Sequence, residues 1–329
     1  MNATSGLADL LARRAVALLC ADPPVLAAYD SDFAAHVGEL AAFARERPRA
    51  VFLLQLGFEH ESDEAADRLA AAVAAFRAEA PASARVIALG NTEKECEALG
   101  RRGVEARFVH QNAFLDERRY RPIRAAKRYD AAYIARLTPF KRHGLIPPAL
   151  APRLLFLGAQ TRPDEADYVR EMRERFAGAT WMPFFSGAKI SALLARARCG
   201  LALSAREGAC FASSEYLLCG LPVVDTPALG GRDAVYPPEF VASVDATPDA
   251  VGAGIERWLA APPDPWRVRA AWLAKVAPHR EAYRALMREL AGRDPGRPPH
   301  KLGLRTPHPG ALHTRAIQAV NLVRALLPR

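Results

Sequence analysis

The sequence of 329 residues predicts an α/β protein built on doubly wound parallel sheets. Three observations carry this. Apolar runs of strand length alternate with segments of helical periodicity, which is the pattern of strand–helix–strand units. The alternation occurs twice along the chain, with a strongly basic stretch between the two series. Half the residues are apolar and a quarter are charged, an ordinary composition for a folded chain long enough for two cores.

In the first series, residues 6–20 and 33–47 read as helices on either side of Pro23-Pro24. Residues 51–56 (VFLLQL) read as a buried strand and 61–78 as a helix. A strand over 85–89, a helix over 92–102 ended by Gly103, and a strand over 106–110 complete it. The second series has six strands, over 131–135, 153–157, 180–183, 200–204, 222–225 and 240–244. Its helices are expected over 165–176, 189–197, 209–219, 248–259 and 266–290. The first half thus offers three clear strands against six. These series predict domains at 1–125 and 126–292, followed by a basic extension over 293–329.

The net charge is +9, and it is concentrated. Residues 101–128 hold nine Lys or Arg against three acids, and residues 295–329 hold six against none. Such surfaces attract diphosphates and anionic headgroups. Neither stretch carries aromatic interleaving or a nucleic-acid motif, so nucleic acid is not the expected partner. In the tail, Ile317, Val320, Val323 and Leu327 recur at helical spacing. This predicts a helix packed on the body, with peripheral contact to an anionic membrane as its alternative. The five cysteines show no C-x-x-C spacing, which fits a reducing, cytoplasmic setting. No apolar run reaches the length of a membrane span. No G-x-G-x-x-G after a strand, no phosphate-binding G-x-x-x-x-G-K-[ST] and no G-x-S-x-G occurs. No histidine pair has metal-ligand spacing, so neither a metal nor a tightly bound cofactor is expected.

The segment from Ser204 to Val224 (SAREGACFASSEYLLCGLPVV) is the most informative. A strand ends near Ser204, and Gly208 leads into a helix. Backbone N–H groups at such a helix start, here Gly208, Ala209, Cys210 and Phe211, bind anions, aided by the helix dipole. Glu215 lies two turns in, among Phe211, Ala212, Leu218 and Cys219. A carboxylate on that face needs partners. Ribose hydroxyls or a buried arginine would each serve.

Glu207 and Glu215 form E-x7-E with Gly220-Leu-Pro222-Val-Val behind. Earlier, Arg136-Leu-Thr-Pro-Phe-Lys141 follows the first strand of the second series. Together these resemble the donor-site signature of retaining GT-B glycosyltransferases, and specifically glycosyltransferase family 4, group 1. Residues 153–158 (RLLFLG), Gly230-Gly231 and Asn112 match further points of that pattern, and the likeness covers about residues 85–260. It implies two Rossmann-like domains facing a cleft, the N-terminal one shortened. It implies a nucleoside-diphosphate sugar as co-substrate. Arg136 and Lys141 would hold the diphosphate, and Glu207 would contact the sugar beside the reacting carbon. Gly208, Ala209, Cys210 and Phe211 would offer backbone N–H groups. Glu215 would hold the ribose, Phe184 would lie beside the base, and Gly158 would close the neighbouring strand end. His110 and His60 are the acceptor-side candidates, each with a structural role as the alternative.

The sequence departs from the pattern twice. The family's E-G-F-G is Glu207-Gly208-Ala209-Cys210, which tightens the sugar pocket at Cys210. The opening strand with its glycine-rich loop is not visible. The expected activity is transfer of a sugar, with retention, to an unidentified acceptor such as a glycan or a lipid-linked envelope precursor. The rivals are a nucleotide-sugar-binding scaffold without turnover, another enzyme of the same architecture such as a GT-B nucleotide-sugar epimerase or a glycogen-phosphorylase-like enzyme, and a nucleic-acid-binding protein.

Overall fold

The computed structural model describes residues 3–158, 165–183, 185 and 188–304. The chain forms two units, dividing at Leu115/Asp116 and at Pro278/His279. The sequence places these borders later, at 125 and 292. The first differs because residues 117–120 are held by second-unit side chains. The second differs because Tyr283, Leu286 and Met287 pack into an apolar cluster of the first unit.

The first unit opens with helix α1 (Ala3–Ala12). Arg14, at φ 60°, turns the chain into β1 (Val16–Ala21). β1 pairs antiparallel with β2 (Pro24–Tyr29). The helix expected over 6–20 is therefore half helix and half strand, and Pro23-Pro24 is a hairpin turn rather than a helix break. A run such as AVALLCA satisfies either period, and pairing with residues 24–28 decides it. Pro24 is tolerated because it is the first residue of its strand. The expected helix over 33–47 is two, α2 (Asp30–Ala35) and α3 (Val37–Glu46), interrupted at His36. There follow β3 (Val51–Gln55), α4 (Asp63–Glu79), β4 (Arg85–Gly90), α5 (Glu93–Gly100) and β5 (Glu105–Phe108). Thr92 caps α5 by accepting from Glu95 N at 3.0 Å. The strands lie in chain order β1-β2-β3-β4-β5, and all but β1 are parallel. Five strands therefore stand where three were legible.

The second unit contains all six expected strands, β6 (Tyr129–Ile134), β7 (Leu154–Leu157), β8 (Thr180–Met182), β9 (Ala197–Ala202), β10 (Val223–Asp225) and β11 (Val241–Ser243). β9 begins at Ala197 rather than at residue 200. Helices α6 (Ala166–Arg175), α7 (Ala188–Leu194), α8 (Phe211–Leu218) and α9 (Pro248–Ala260) occupy the crossovers. α10 (Pro265–Ala291) ends the series. The order is β11-β10-β9-β6-β7-β8, parallel throughout. Numbered within this unit it is 6-5-4-1-2-3, the doubly wound order that reverses between its first and fourth strands. Its core includes Tyr133, Phe156, Phe176, Leu201, Val224, Ile255 and Trp258.

Gly200 lets α8 lie against β9. A Cβ there would stand 2.2 Å from the Tyr216 ring. Gly220 ends α8 at φ +79°, where a Cβ would also meet Pro265 at 2.4 Å. Gly200→Ala should lower the unfolding free energy by about 3 kcal/mol, since no flexible neighbour can yield. Urea titration measures this, and a change below about 0.5 kcal/mol would contradict the packing described.

Candidate active site

In an open parallel sheet the ligand crevice lies beyond the carboxyl ends of the strands where the order reverses. Here that point is between β6 and β9. The loop after β6 carries Arg136 and Lys141, and the loop after β9 carries Ser204 and Glu207. The loops are stitched together: Ala205 N donates to Phe140 O at 3.3 Å, Glu207 N to Leu229 O at 2.9 Å and Leu229 N to Ala205 O at 2.8 Å.

Lys141 Nζ contacts the Glu207 carboxylate directly. Ser204 Oγ donates to the same oxygen, Oε1, at 3.1 Å. The two charged side chains are 14% and 12% exposed, so the pair is nearly desolvated without being sealed. Burial lowers the Lys141 ammonium from its usual value, and the charges of Arg136 and Arg232 push the same way. Arg136 itself is exposed. An ammonium flanked by guanidinium groups at a strand's carboxyl end is suited to a multiply charged anion.

Several residues that hold this loop escaped the sequence reading. Arg142 sits at φ 53° and turns the chain back. Its guanidinium donates to Leu203 O at 2.5 Å, Thr226 Oγ1 at 2.7 Å and Pro227 O at 3.1 Å. Tyr133 Oη donates to Lys141 O at 2.5 Å. His143 is buried, and desolvation followed by the Lys141 charge drives its pKa down to about 3. Arg232 is fully buried. It donates to Ala202 O at 2.8 Å, Ser204 O at 2.9 Å and Asp225 Oδ2 at 3.1 Å, and also to Thr226 O. It pairs with Asp233 at 2.6 Å. The signal for Arg232 was the Gly230-Gly231 pair before it, but one arginine among 45 bases does not announce its burial.

Gly208, Ala209 and Cys210 are buried, and Phe211 is half-buried at the start of α8. Glu215 is buried, with the Tyr120 hydroxyl bonded to it. Burial first, and then the Glu215 carboxylate, raises the tyrosine pKa. The partner anticipated for Glu215 was a ribose or an arginine, and the structure supplies a tyrosine hydroxyl. On either side, Tyr216 Oη accepts from Ile134 N at 2.5 Å and Ser214 Oγ accepts from Trp272 Nε1 at 3.1 Å. Gly158 is buried at the end of β7, at φ 93°, and donates to Met182 O at 3.1 Å. Phe184 and the tail from residue 305 lie outside the described residues.

The two histidines proposed for the acceptor side lie in the first unit. His60 Nε2 is 3.3 Å from Asp30 Oδ2, and its Nδ1 is 3.1 Å from Phe58 O. Burial lowers the His60 pKa, but the bond to Asp30 and the carboxylates of Asp30 and Glu95 outweigh it, for a net rise. His110 is fully buried, and its ring accepts from Asn112 N at 3.1 Å. Among the described residues no group of His, Cys, Asp or Glu is arranged to hold a metal ion.

Comparison with solved structures gives the fold its class. HepE from Anabaena, in complex with UDP and glucose, matches at TM-score 0.56 and 18% identity over 78% of this chain and 73% of its own. Sucrose-phosphate synthase from Thermosynechococcus elongatus matches at TM-score 0.53 and 16% identity, over 80% and 76%. AviGT4, a glycosyltransferase involved in avilamycin A biosynthesis, matches at TM-score 0.51 and 19% identity, over 78% and 79%. The fold is that of the GT-B glycosyltransferases. No family model matches the chain, and no curated protein matches it.

Arg232→Leu should cost about 3–5 kcal/mol of stability, because it strands Asp225 and three carbonyl oxygens in the interior. Differential scanning calorimetry checks this, and a wild-type midpoint would refute it. His143 sets a pH dependence. Its folded pKa, about 3, lies below the unfolded value near 6.5. As pH falls below about 6.5 the unfolded chain takes up a proton that the folded chain refuses, so stability drops by up to ~1.4 kcal/mol per pH unit until about pH 3. Chemical unfolding between these limits should show a shallower slope for His143→Gln than for wild type.

Proposed function

We propose that this chain is a glycosyltransferase that moves a sugar from a nucleoside-diphosphate sugar to an acceptor hydroxyl with retention. The observation that carries the reading is the Lys141–Glu207 contact at the switch point of the second sheet, beside Arg136 and the start of α8. The likeness to HepE, whose solved complexes contain UDP and UDP-glucose, supports it.

In this reading Lys141 exchanges Glu207 for the donor diphosphate, which frees the carboxylate for the sugar hydroxyls. Arg136 joins Lys141 in stabilising charge on the departing phosphate oxygen as the bond from the anomeric carbon breaks. The acceptor oxygen bonds to that carbon on the same face, and its proton passes to the leaving phosphate. Backbone N–H groups of Gly208, Ala209, Cys210 and Phe211 orient the sugar and the phosphate. Glu215, held by Tyr120, offers its remaining lone pairs to the ribose. Gly158 closes the neighbouring strand end. No step is assigned to His60 or His110, whose rings already have partners. All five cysteines are free thiols, as suits a reducing compartment such as the cytoplasm.

Calorimetric titration with UDP, GDP, ADP and dTDP should single out one nucleotide. Lys141→Ala and Glu215→Gln should weaken its binding by about ten- to a hundredfold, the worth of a charge-assisted hydrogen bond. Glu207→Ala should lower turnover by about a hundredfold or more while changing nucleotide affinity little. Wild-type affinity in Lys141→Ala and Glu215→Gln would place the donor site elsewhere. Nucleotide-sugar binding without transfer to any of a broad set of acceptors would convert the reading to a scaffold.

A further inference from the structure

A second feature of this unit lies away from the donor loops. Residues 116–128 hold six cations and two acids. Arg118 and Arg119 share one of those acids, Asp116, at 3.9 and 3.7 Å. Arg121, Arg124 and Arg128 are exposed and make no ion pair among the described residues. Arg128 instead lies over the Tyr129 ring, 5.5 Å from its centroid. Exposed Arg196, at the start of β9, and half-buried Arg198 extend the cationic surface.

The segment has no regular secondary structure, yet its backbone is fastened at several points. Arg269 donates to Glu117 O at 2.7 Å and to Tyr120 O. Ser191 Oγ donates to Arg119 O at 3.3 Å. Lys127 Nζ spans Ala195 O at 3.0 Å and Ala197 O at 2.7 Å. Arg128 N donates to Arg196 O at 2.8 Å. A run of like charges held in place, rather than left to solvate itself, is an electrostatic cost with no return inside the unit. At its middle the apolar side chain of Ile123 is 38% exposed between Arg121 and Arg124.

We propose that residues 118–128 form a docking surface for an anionic lipid bilayer. Guanidinium groups gather lipid phosphates, and Ile123 enters the headgroup boundary. Nucleic acid is the poorer fit. The segment's one aromatic residue, Tyr120, is buried and gives bases no stacking platform, and no helix or ribbon is offered to a groove. The surface ends, at Arg128, beside the amino ends of β6 and β9, about 20 Å along the strands from the loops with Lys141 and Glu207; only the buried Tyr120 reaches toward the donor side, at Glu215. Docking there leaves the donor loops uncovered.

The test is co-sedimentation of the full-length protein with vesicles of phosphatidylcholine containing about one third phosphatidylglycerol, against phosphatidylcholine alone. Wild type should bind the anionic vesicles, and binding should fall as salt rises. Arg121→Gln/Arg124→Gln/Arg128→Gln should weaken partitioning by about a hundredfold, with an unchanged melting midpoint and unchanged nucleotide affinity. Ile123→Gln should weaken it severalfold. A variant neutralising Arg315, Arg324 and Arg329 of the tail should lose less than the segment variant. Equal binding to neutral and anionic vesicles would overturn the proposal. So would wild-type partitioning in both segment variants, or tighter binding to a short DNA duplex than to the vesicles at the same salt.

Discussion

The buried guanidinium of Arg232 is the constraint on which the second unit depends. It joins the carbonyl ends of β9 and β10 through Ala202, Ser204 and Thr226, and binds the carboxylates of Asp225 and Asp233. Burying a charge this completely costs several kcal/mol, which is recovered only when its N–H groups and the facing charges are matched. Burial opposes the Arg232 charge, yet the carboxylates of Asp233 and Asp225 hold its pKa above the ordinary value. Asp225, desolvated and close to Asp233, rises to about 6 in spite of the arginine. The carbonyl of Ser204 is one of the fixed points, and its hydroxyl holds Glu207. The position of Glu207 therefore descends from a residue that would touch no substrate.

Tyrosines do similar work one layer out. Tyr133 fixes the Lys141 carbonyl, Tyr216 fixes the end of β6 to α8, and Tyr120 meets Glu215. Each phenol rests its ring in the core and spends its hydroxyl on one backbone or carboxylate group. Gly200 makes this possible by leaving room for the Tyr216 ring. The loops that carry the candidate chemistry are thus mounted on rigid parts, which is what keeping reacting groups within a fraction of an ångström requires.

The two sheets differ in a way that bears on function. The second reverses its strand order and so has a crevice at its carboxyl edge. The first adds strands in one direction and closes its edge with an antiparallel hairpin, without a reversal. The polar groups at its carboxyl edge are turned inward. Glu95 accepts from Asn91 N and His60 N, and Asn91 accepts from Gln111 N. The Lys141–Glu207 pair sits at the reversal of the second sheet, whereas at the first His60 pairs with Asp30.

The sequence by itself determined what is local. The alternation of periods gave all six strands of the second unit, and the spacings Arg136–Lys141 and Glu207–Glu215 were legible because each lies within one short loop or across a loop and the helix that directly follows it. Tertiary structure decided whatever depended on pairing at a distance. The run over 16–21 became a strand because residues 24–28 paired with it. Lys141 met Glu207, 66 positions on, because the strand order sets β6 beside β9. Glu215 found Tyr120, and one arginine among many was drawn into the interior at 232. Periodicity and spacing report the neighbours a residue has along the chain. The partners that satisfy a buried charge are chosen by the folding of the sheet, and they leave no trace in the spacing of the sequence.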